Sequence, residues 1–223
     1  MENPKIAICI PTFQNDESLM NTIRSILEIY QDNWVILIAD LNPIDTYSFE
    51  KLLFYGTAGA KAHEFFPSRD RIKICQLPKK STRIESLQTL LINASKLNID
   101  YCLVMNDKTT FTDSFKQLNE VLAYMKHYDL IGFDIKGKER EVGTLQKSSD
   151  GILYTKLNFN CNKCNPDKMV IWNCNVVDEF YIAKRQTLQE SLISDNNLEF
   201  FKFYNLNKHK VGWTDRLKGI YNE

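Results

Sequence analysis

Three consecutive polar residues, Asn106-Asp107-Lys108, follow directly on the apolar run Tyr101-Cys-Leu-Val-Met105. A run of that length bounded by polar residues reads as a strand buried on both faces. In an open α/β sheet the crevice beyond the carboxyl ends of such strands is where ligands bind. The triplet offers that crevice an amide, one carboxylate and one fixed positive charge. Carboxylates ligate divalent cations, whereas a lysine cannot and repels them. Asp40 closes a second apolar run, Trp34 to Ala39, in the turn Asp40-Leu-Asn-Pro43. Asp178 stands between Val177 and Phe180, and Glu199 within Leu198-Glu-Phe-Phe201. A carboxylate in an apolar run is costly to bury unless it is partnered or functional, and one placed beside a hydroxyl can take its proton.

A separate cluster, Cys161-x-x-Cys164 with Cys174, has the first spacing of a structural zinc site but lacks a fourth ligand. Three free thiols, or a disulfide in an exported chain, fit it as well. His209 could fold back as a metal ligand, although its neighbours Lys208 and Lys210 suit a solvated basic turn.

A regular frame must hold these residues. Ile6 to Ile10 is a buried strand that stops at Pro11. Asn15 and Asp16 are N-cap residues, after which Leu19, Ile23, Ile26, Leu27 and Tyr30 repeat at helical spacing. Trp34 to Asp40 completes a βαβ unit, a right-handed crossover. Tyr47 to Tyr55 is predicted helical and Arg71 to Leu77 a third strand. Ser81 opens a helix carrying Leu87, Leu90, Leu91 and Ala94, which feeds the Tyr101 strand. A helix over Phe115 to Met125 and a strand over Asp129 to Ile135 follow. Glu141–Gln146 and Ile152–Asn158 flank Ser149-Asp150-Gly151, a hairpin signal. Val176 to Ala183 reads as extended, Leu188 to Leu206 as mostly helical and Lys210 to Trp213 as a last strand. The pattern predicts an α/β fold with a mostly parallel central sheet flanked by helices. It predicts one domain over residues 1–223, with a regular first half (1–112) and a smaller, irregular, hairpin-containing second half (113–223).

Composition narrows the function. With 43% apolar and 12% aromatic residues the chain can bury a sizeable core, which excludes a disordered class. The 28 basic residues balance 28 acidic ones, so no global field recruits nucleic acid or anionic lipid. No apolar run is long enough to span a bilayer, and Met1 to Lys5 leaves no room for a signal peptide. The expectation is a cytoplasmic chain, with a peripheral membrane location left open. Cys9, Cys75 and Cys102 lie in strand-like runs as small buried hydrophobes. Phe200, Phe201, Phe203 and Tyr204 are too many aromatics for one pocket and suit core or a homo-oligomer contact.

Five segments in order carry a resemblance: Ile10-Pro-Thr-Phe-Gln-Asn-Asp-Glu-Ser-Leu19, the Asp40 strand end, Tyr101 to Thr112 with Asp129-Leu-Ile-Gly132, Val176 to Ala183, and Leu198-Glu-Phe-Phe201. Together they resemble family-2-like glycosyltransferases of the GT-A fold, most nearly the animal N-acetylgalactosaminyltransferases of ganglioside synthesis and the glycosyltransferase-like stem domain of fukutin-related protein. The resemblance implies transfer, with inversion, from a UDP-sugar donor to a glycan or lipid-linked acceptor. It implies that Thr12 and Phe13 border a uracil pocket and that Asp40 accepts from the base. Asn106 and Asp107 would approach ribose and diphosphate, Asp178 would face the acceptor, and Glu199 would deprotonate its hydroxyl. Arg83, in a helix's first turn, could reach phosphate.

The family expects acidic residues at both ends of the triplet. Here only Asp107 could hold Mn or Mg. Either the Lys108 ammonium replaces the metal as the counter-charge to diphosphate, or the chain is a catalytically inactive binding or assembly module. A nucleotidyltransferase would want a glycine-rich loop after the first strand, and Pro11 to Asn15 has none.

Overall fold

The computed structural model describes residues 6–12, 16–29, 33–40, 72–77, 81–137, 143–148, 151–156, 169–174, 176–177, 179–193, 198–199, 202–204 and 209–222. Strand β1 (Ile6–Thr12) leads into helix α1 (Asp16–Glu28) and strand β2 (Trp34–Asp40). Strand β3 (Ile72–Gln76), helix α2 (Arg83–Lys96) and strand β4 (Tyr101–Val104) follow. These four strands are parallel, in the order β3-β2-β1-β4.

The alternation in β1 explains the two layers around it. Ile6, Ile8 and Ile10 pack with Leu19, Ile23 and Ile26 of α1, while Ala7 and Cys9 face Leu87, Leu90 and Leu91 of α2. Bulk on one face and small residues on the other let both helices close on a single strand. Each fully buried Ile or Leu contributes about 1.5–3 kcal/mol. The helix α2 begins with a reciprocal cap: Thr82 Oγ1 accepts from Glu85 N, and the Glu85 carboxylate accepts from Thr82 N. The cap is therefore one residue later than Ser81, which restores the normal three-residue spacing to Glu85.

Pro11 does not end β1, which pairs with β2 through Thr12. The Cys9 carbonyl accepts from Met105 N, so Cys9 and, two residues on, Pro11 turn their backbone groups toward β4. Pairing with β4 finishes at Cys9 with Val104. The missing proline N–H thus falls where the ladder has already stopped.

The second half continues the sheet and adds another. Strand β5 (Thr109–Phe111) is followed by a 3₁₀ turn (Asp113–Gln117), helix α3 (Leu118–Tyr124) and strand β6 (Leu130–Lys136). Strands β7 (Gly143–Ser148) and β8 (Gly151–Lys156) form the expected hairpin, with Ser148 opposite Gly151. Then come β9 (Trp172–Cys174), β10 (Val176–Val177), β11 (Tyr181–Lys184), helix α4 (Arg185–Ile193), β12 (Leu198–Glu199), β13 (Lys202–Tyr204) and β14 (Val211–Tyr221). Among the described residues the main sheet has nine strands, in the order β3-β2-β1-β4-β11-β6-β14-β5 with β9 beside β14. A second sheet of five runs β12-β13-β10-β7-β8.

Several expectations are corrected here. Of the helix expected over Leu188 to Leu206, the described helix is Arg185–Ile193, and the described residues beyond it pair as strands β12 and β13. Val176 to Ala183 is extended, but β10 and β11 belong to different sheets. The last strand runs on to Tyr221, and its register with β6 shifts between Thr214 and Lys218. That irregularity takes in Asp215 and Arg216, the polar pair that breaks the apolar pattern. The helix expected over Tyr47 to Tyr55 lies outside the described residues.

Candidate functional site

Chain order places the site. From β1 the chain steps to β2 and β3 on one side, then crosses back through α2 to β4 on the other. The order therefore reverses between β1 and β4, and in open α/β sheets ligands bind beyond the carboxyl ends of the strands at such a reversal. Thr12 ends β1 there, and Asn106 and Asp107 follow β4 there. A buried hydrogen bond spans the reversal: Thr12 Oγ1 donates to Asp107 Oδ2 at 2.6 Å, with Thr12 3% and Asp107 8% exposed. Along the same edge Thr12 pairs with Asp40, and Asp40 with Gln76.

The turn after β4 is fixed from three sides. Helix α1 presents Ser18 and Thr22, whose hydroxyls both donate to the Asp107 carbonyl at 2.9 Å. One turn further, Ser25 Oγ accepts from Phe111 N at 2.9 Å. These hydroxyls recur at spacings of four and three, a polar stripe on an otherwise apolar-facing helix. That stripe is legible in the sequence and was absent from the expected site. Within the turn, Asn106 Oδ1 accepts from Lys108 N at 3.0 Å and from Thr109 Oγ1 at 2.8 Å. Below it Phe111 stacks on Phe115 at 4.0 Å, and Phe115 meets Phe133 and Phe180 at 5.4 and 5.2 Å.

The third side is the loop between β10 and β11. Glu179 Oε2 accepts from Asn106 Nδ2 at 3.0 Å, which brings a half-buried carboxylate to the rim. Sequence reasoning chose the neighbouring Asp178, which lies outside the described residues. The Asn106 amide is therefore engaged at both ends, so its role is to shape the turn and hold Glu179. Lys108 is half-buried, with Nζ 5.7 Å from the centre of the Tyr221 ring.

The other expected residues divide by position. Asp40 sits beside Thr12 by backbone register. Arg83 is exposed in the first turn of α2. That turn is at the crevice end of the sheet, since α2 leads from the end of β3 to the start of β4. Phe13 lies outside the described residues. The backbone of Glu199 pairs with Lys202. Strand β13 then pairs Phe203 with Val177 and Tyr204 with Val176, so Lys202 and Glu199 lie toward the end of β10 that leads to Glu179. That puts the Glu199 backbone two strands from β10, about 10 Å away.

The cysteine expectation needs correction at one position. Cys174, grouped above with Cys161 and Cys164 as a possible zinc ligand, is 5% exposed on β9, opposite Val211. Burial pushes its thiol up to about 12, which disfavours the thiolate that zinc requires. Cys161 and Cys164 lie outside the described residues. Among the described residues no three His, Cys, Asp or Glu side chains gather as a metal site would need. Cys9, Cys75 and Cys102 are buried free thiols, as expected. A hydrogen bond from the neutral Cys9 thiol to Cys102, then burial, raises Cys9 well above the ordinary range.

His209 also falls elsewhere. Its Nδ1 is 4.0 Å from Asp129 Oδ2, which places it at the opposite end of β4 from the Asn106 turn, roughly 17 Å away. A cavity of about 480 Å³ opens at that far end, lined among others by Tyr101, Asp129, Lys184, Arg185 and His209. Two of its cations are held by the chain's own groups. Lys184 Nζ donates to Asp129 at 2.7 Å, and Arg185 donates to Ile99 O, Ser95 Oγ and Gln189 Oε1. The crevice at the strand reversal, with its carboxylates and half-buried lysine, is the candidate site.

No protein-family model and no curated protein matches the sequence. Solved structures do match. A crystal structure of GalNAc-T7 with UDP, GalNAc and Mn2+ superimposes with a TM-score of 0.66 at 12% identity, over 99% of this chain and 44% of that one. A structure of S. aureus TarS, residues 1–349, gives 0.56 at 11% identity, over 98% of this chain and 60% of that one. The chain thus spans less than two thirds of either structure. The fold is that of the GT-A glycosyltransferases. Among the described residues no helix is long and apolar enough to cross a membrane.

Proposed function

We propose that this chain is a nucleotide-sugar-dependent glycosyltransferase that moves a sugar, with inversion, from a UDP-sugar to a glycan or lipid-linked acceptor. The observation that carries the reading is the Thr12–Asp107 bond at the strand reversal, with Asp40 next to Thr12 on the same edge. It joins the ends of β1 and β4 where this fold class binds its ligands, with the end of β2 beside them by backbone register. The neighbour solved with UDP and GalNAc supports the choice of donor. Within the fold, the order of the five matched segments supports the animal ganglioside N-acetylgalactosaminyltransferases and the stem domain of fukutin-related protein as its relatives.

In this reading Thr12, Phe13 and Asp40 form the base pocket, and the turn at Asn106 to Lys108 lies under the sugar diphosphate, with Arg83 as an outer phosphate contact. The acceptor hydroxyl attacks the anomeric carbon while the bond from that carbon to the diphosphate oxygen breaks. Its proton goes to a carboxylate, and UDP leaves with the bonding pair. Glu199 is the proposed base, and its strand's position at the Glu179 end of the small sheet supports that role. Asp178 and Glu179 flank the acceptor side. Residues 1–112 bind the donor and 113–223 the acceptor, within one domain. The buried free thiols suit a reducing compartment, hence the cytosol, at a membrane surface where the acceptor is a lipid.

The test is calorimetry with UDP, UMP and uridine, followed by transfer assays on Glu199→Gln. UDP binding with transfer lost in the variant supports the enzyme. UDP binding without transfer in the native chain favours a binding module, and no nucleotide binding at all removes the donor reading.

A further inference from the structure

The neighbour that carries UDP also carries Mn2+, and the donor set of this chain does not suit that ion. A divalent cation needs several oxygens free to turn toward it. Asn106 Oδ1 already accepts from Lys108 N and Thr109 Oγ1, and its amide nitrogen holds Glu179. Asp107 is 8% exposed and committed to Thr12. Lys108 adds a positive charge in the adjoining position, which repels a second cation.

We propose that Lys108 itself meets the leaving diphosphate, without a divalent cation, and that Tyr221 positions the ammonium. The proposal rests on the UDP-sugar reading above. The backbone of Lys108 is pinned at both ends: its N–H reaches Asn106 Oδ1, and its carbonyl accepts from Asn222 N at 2.8 Å and Asn222 Nδ2 at 3.2 Å. Strand β14 brings Tyr221 beside Thr109 by register, so the ring lies next to the turn and Nζ stands 5.7 Å from its centre. An aromatic face attracts an ammonium without neutralising it, and more weakly than a carboxylate does. Among the described residues no carboxylate lies within ion-pair distance of Lys108. A lysine held in this way is ordered yet keeps its charge for an incoming phosphate. As the carbon–oxygen bond breaks, the negative charge that develops on the β-phosphate is taken by the Lys108 N–H donors.

The experiment is calorimetry of UDP and UMP on the full chain, first in EDTA and then with Mn2+. The native chain is expected to bind UDP in EDTA, prefer it to UMP, and change less than about twofold on adding Mn2+. Loss of a charge-assisted contact predicts that Lys108→Met lowers UDP affinity by about tenfold to a hundredfold and UMP affinity much less. Tyr221→Leu should lower the UDP-to-UMP preference and Tyr221→Phe restore it, because the ring face and not the hydroxyl does the positioning. UDP binding that requires Mn2+ overturns the proposal and leaves the donor reading intact, as does a Lys108→Met chain with unchanged preference. No binding of either nucleotide in either buffer removes the donor reading, and this proposal with it.

Discussion

Thr12 Oγ1 donates to Asp107 Oδ2 at 2.6 Å across the point where the parallel strands reverse their order. The bond joins the end of β1 to the turn after β4, the two walls of the crevice. Because both residues are almost fully buried, water cannot replace either partner.

Thr12→Val keeps the shape and removes the donor. The buried carboxylate then loses this donor, which costs about 1–3 kcal/mol. Urea unfolding should show that loss, and Asp107→Asn, which still accepts from Thr12, should lose less than Asp107→Ala. Equal losses in the two Asp107 variants would mean that the bond does not hold the walls together.

The cap of α2 holds the turn that carries Arg83. Thr82→Ala removes the acceptor for Glu85 N and should cost about 1 kcal/mol in thermal unfolding. UDP affinity should fall by no more than a few-fold, since Arg83 in the loosened turn is only an outer phosphate contact.

Gly132 lies where the two sheets meet. A Cβ there would stand 2.7 Å from Val177 Cγ1, 2.9 Å from Val177 Cβ and 3.1 Å from Trp213 Cδ1. Gly132→Ala should therefore destabilise by about 1–3 kcal/mol through overpacking. Val177 ends β10 two residues before Glu179, so transfer should fall as well, which unfolding and turnover measured on one preparation will show.

Asp129 supplies the pH dependence of the far end of the sheet. Burial opposes its ionisation, but hydrogen bonds from the Lys184 ammonium and Lys210 N outweigh that, with smaller help from the charges of Lys184 and His209, and its pKa falls below 3.8. A carboxyl lowered on folding stabilises above its unfolded pKa and loses that contribution as pH falls through the folded value. Acidification below about pH 4 should therefore weaken the native chain more than Asp129→Asn, by less than about 1 kcal/mol for this partly exposed pair. Parallel pH profiles for the two proteins would contradict this.

The regular half was legible because its physics is local. Ile6 to Ile10, Trp34 to Asp40 and Tyr101 to Met105 are apolar runs of strand length, and the helix between the first two carries an unbroken apolar face. Asp40 and Asp107 were legible as carboxylates closing such runs, Thr12 only through the family resemblance, and the sheet's chain order brings the three positions to one edge. The second half resisted because its cues are non-local. Phe203 and Tyr204 read as helix in Leu188 to Leu206, yet they pair with Val177 and Val176. Strand β14 continues past Asp215 and Arg216 because β6 and β5 hold it from either side. Glu179 was passed over because its partner Asn106 lies far from it in sequence, and no local pattern in Val176 to Ala183 marks that pairing. Lys108 was visible as a departure from an acidic triplet, but its neighbour Tyr221 lies more than a hundred residues along the chain.

The central claim, that the crevice at the strand reversal takes the nucleotide, is tested most directly by amide shift mapping of UDP on the isotope-labelled chain. The account predicts that Thr12, Asp40 and Asn106 to Thr109 move together as UDP is added. Shifts gathered instead around Tyr101, Lys184 and His209, or none at saturating UDP, would contradict it.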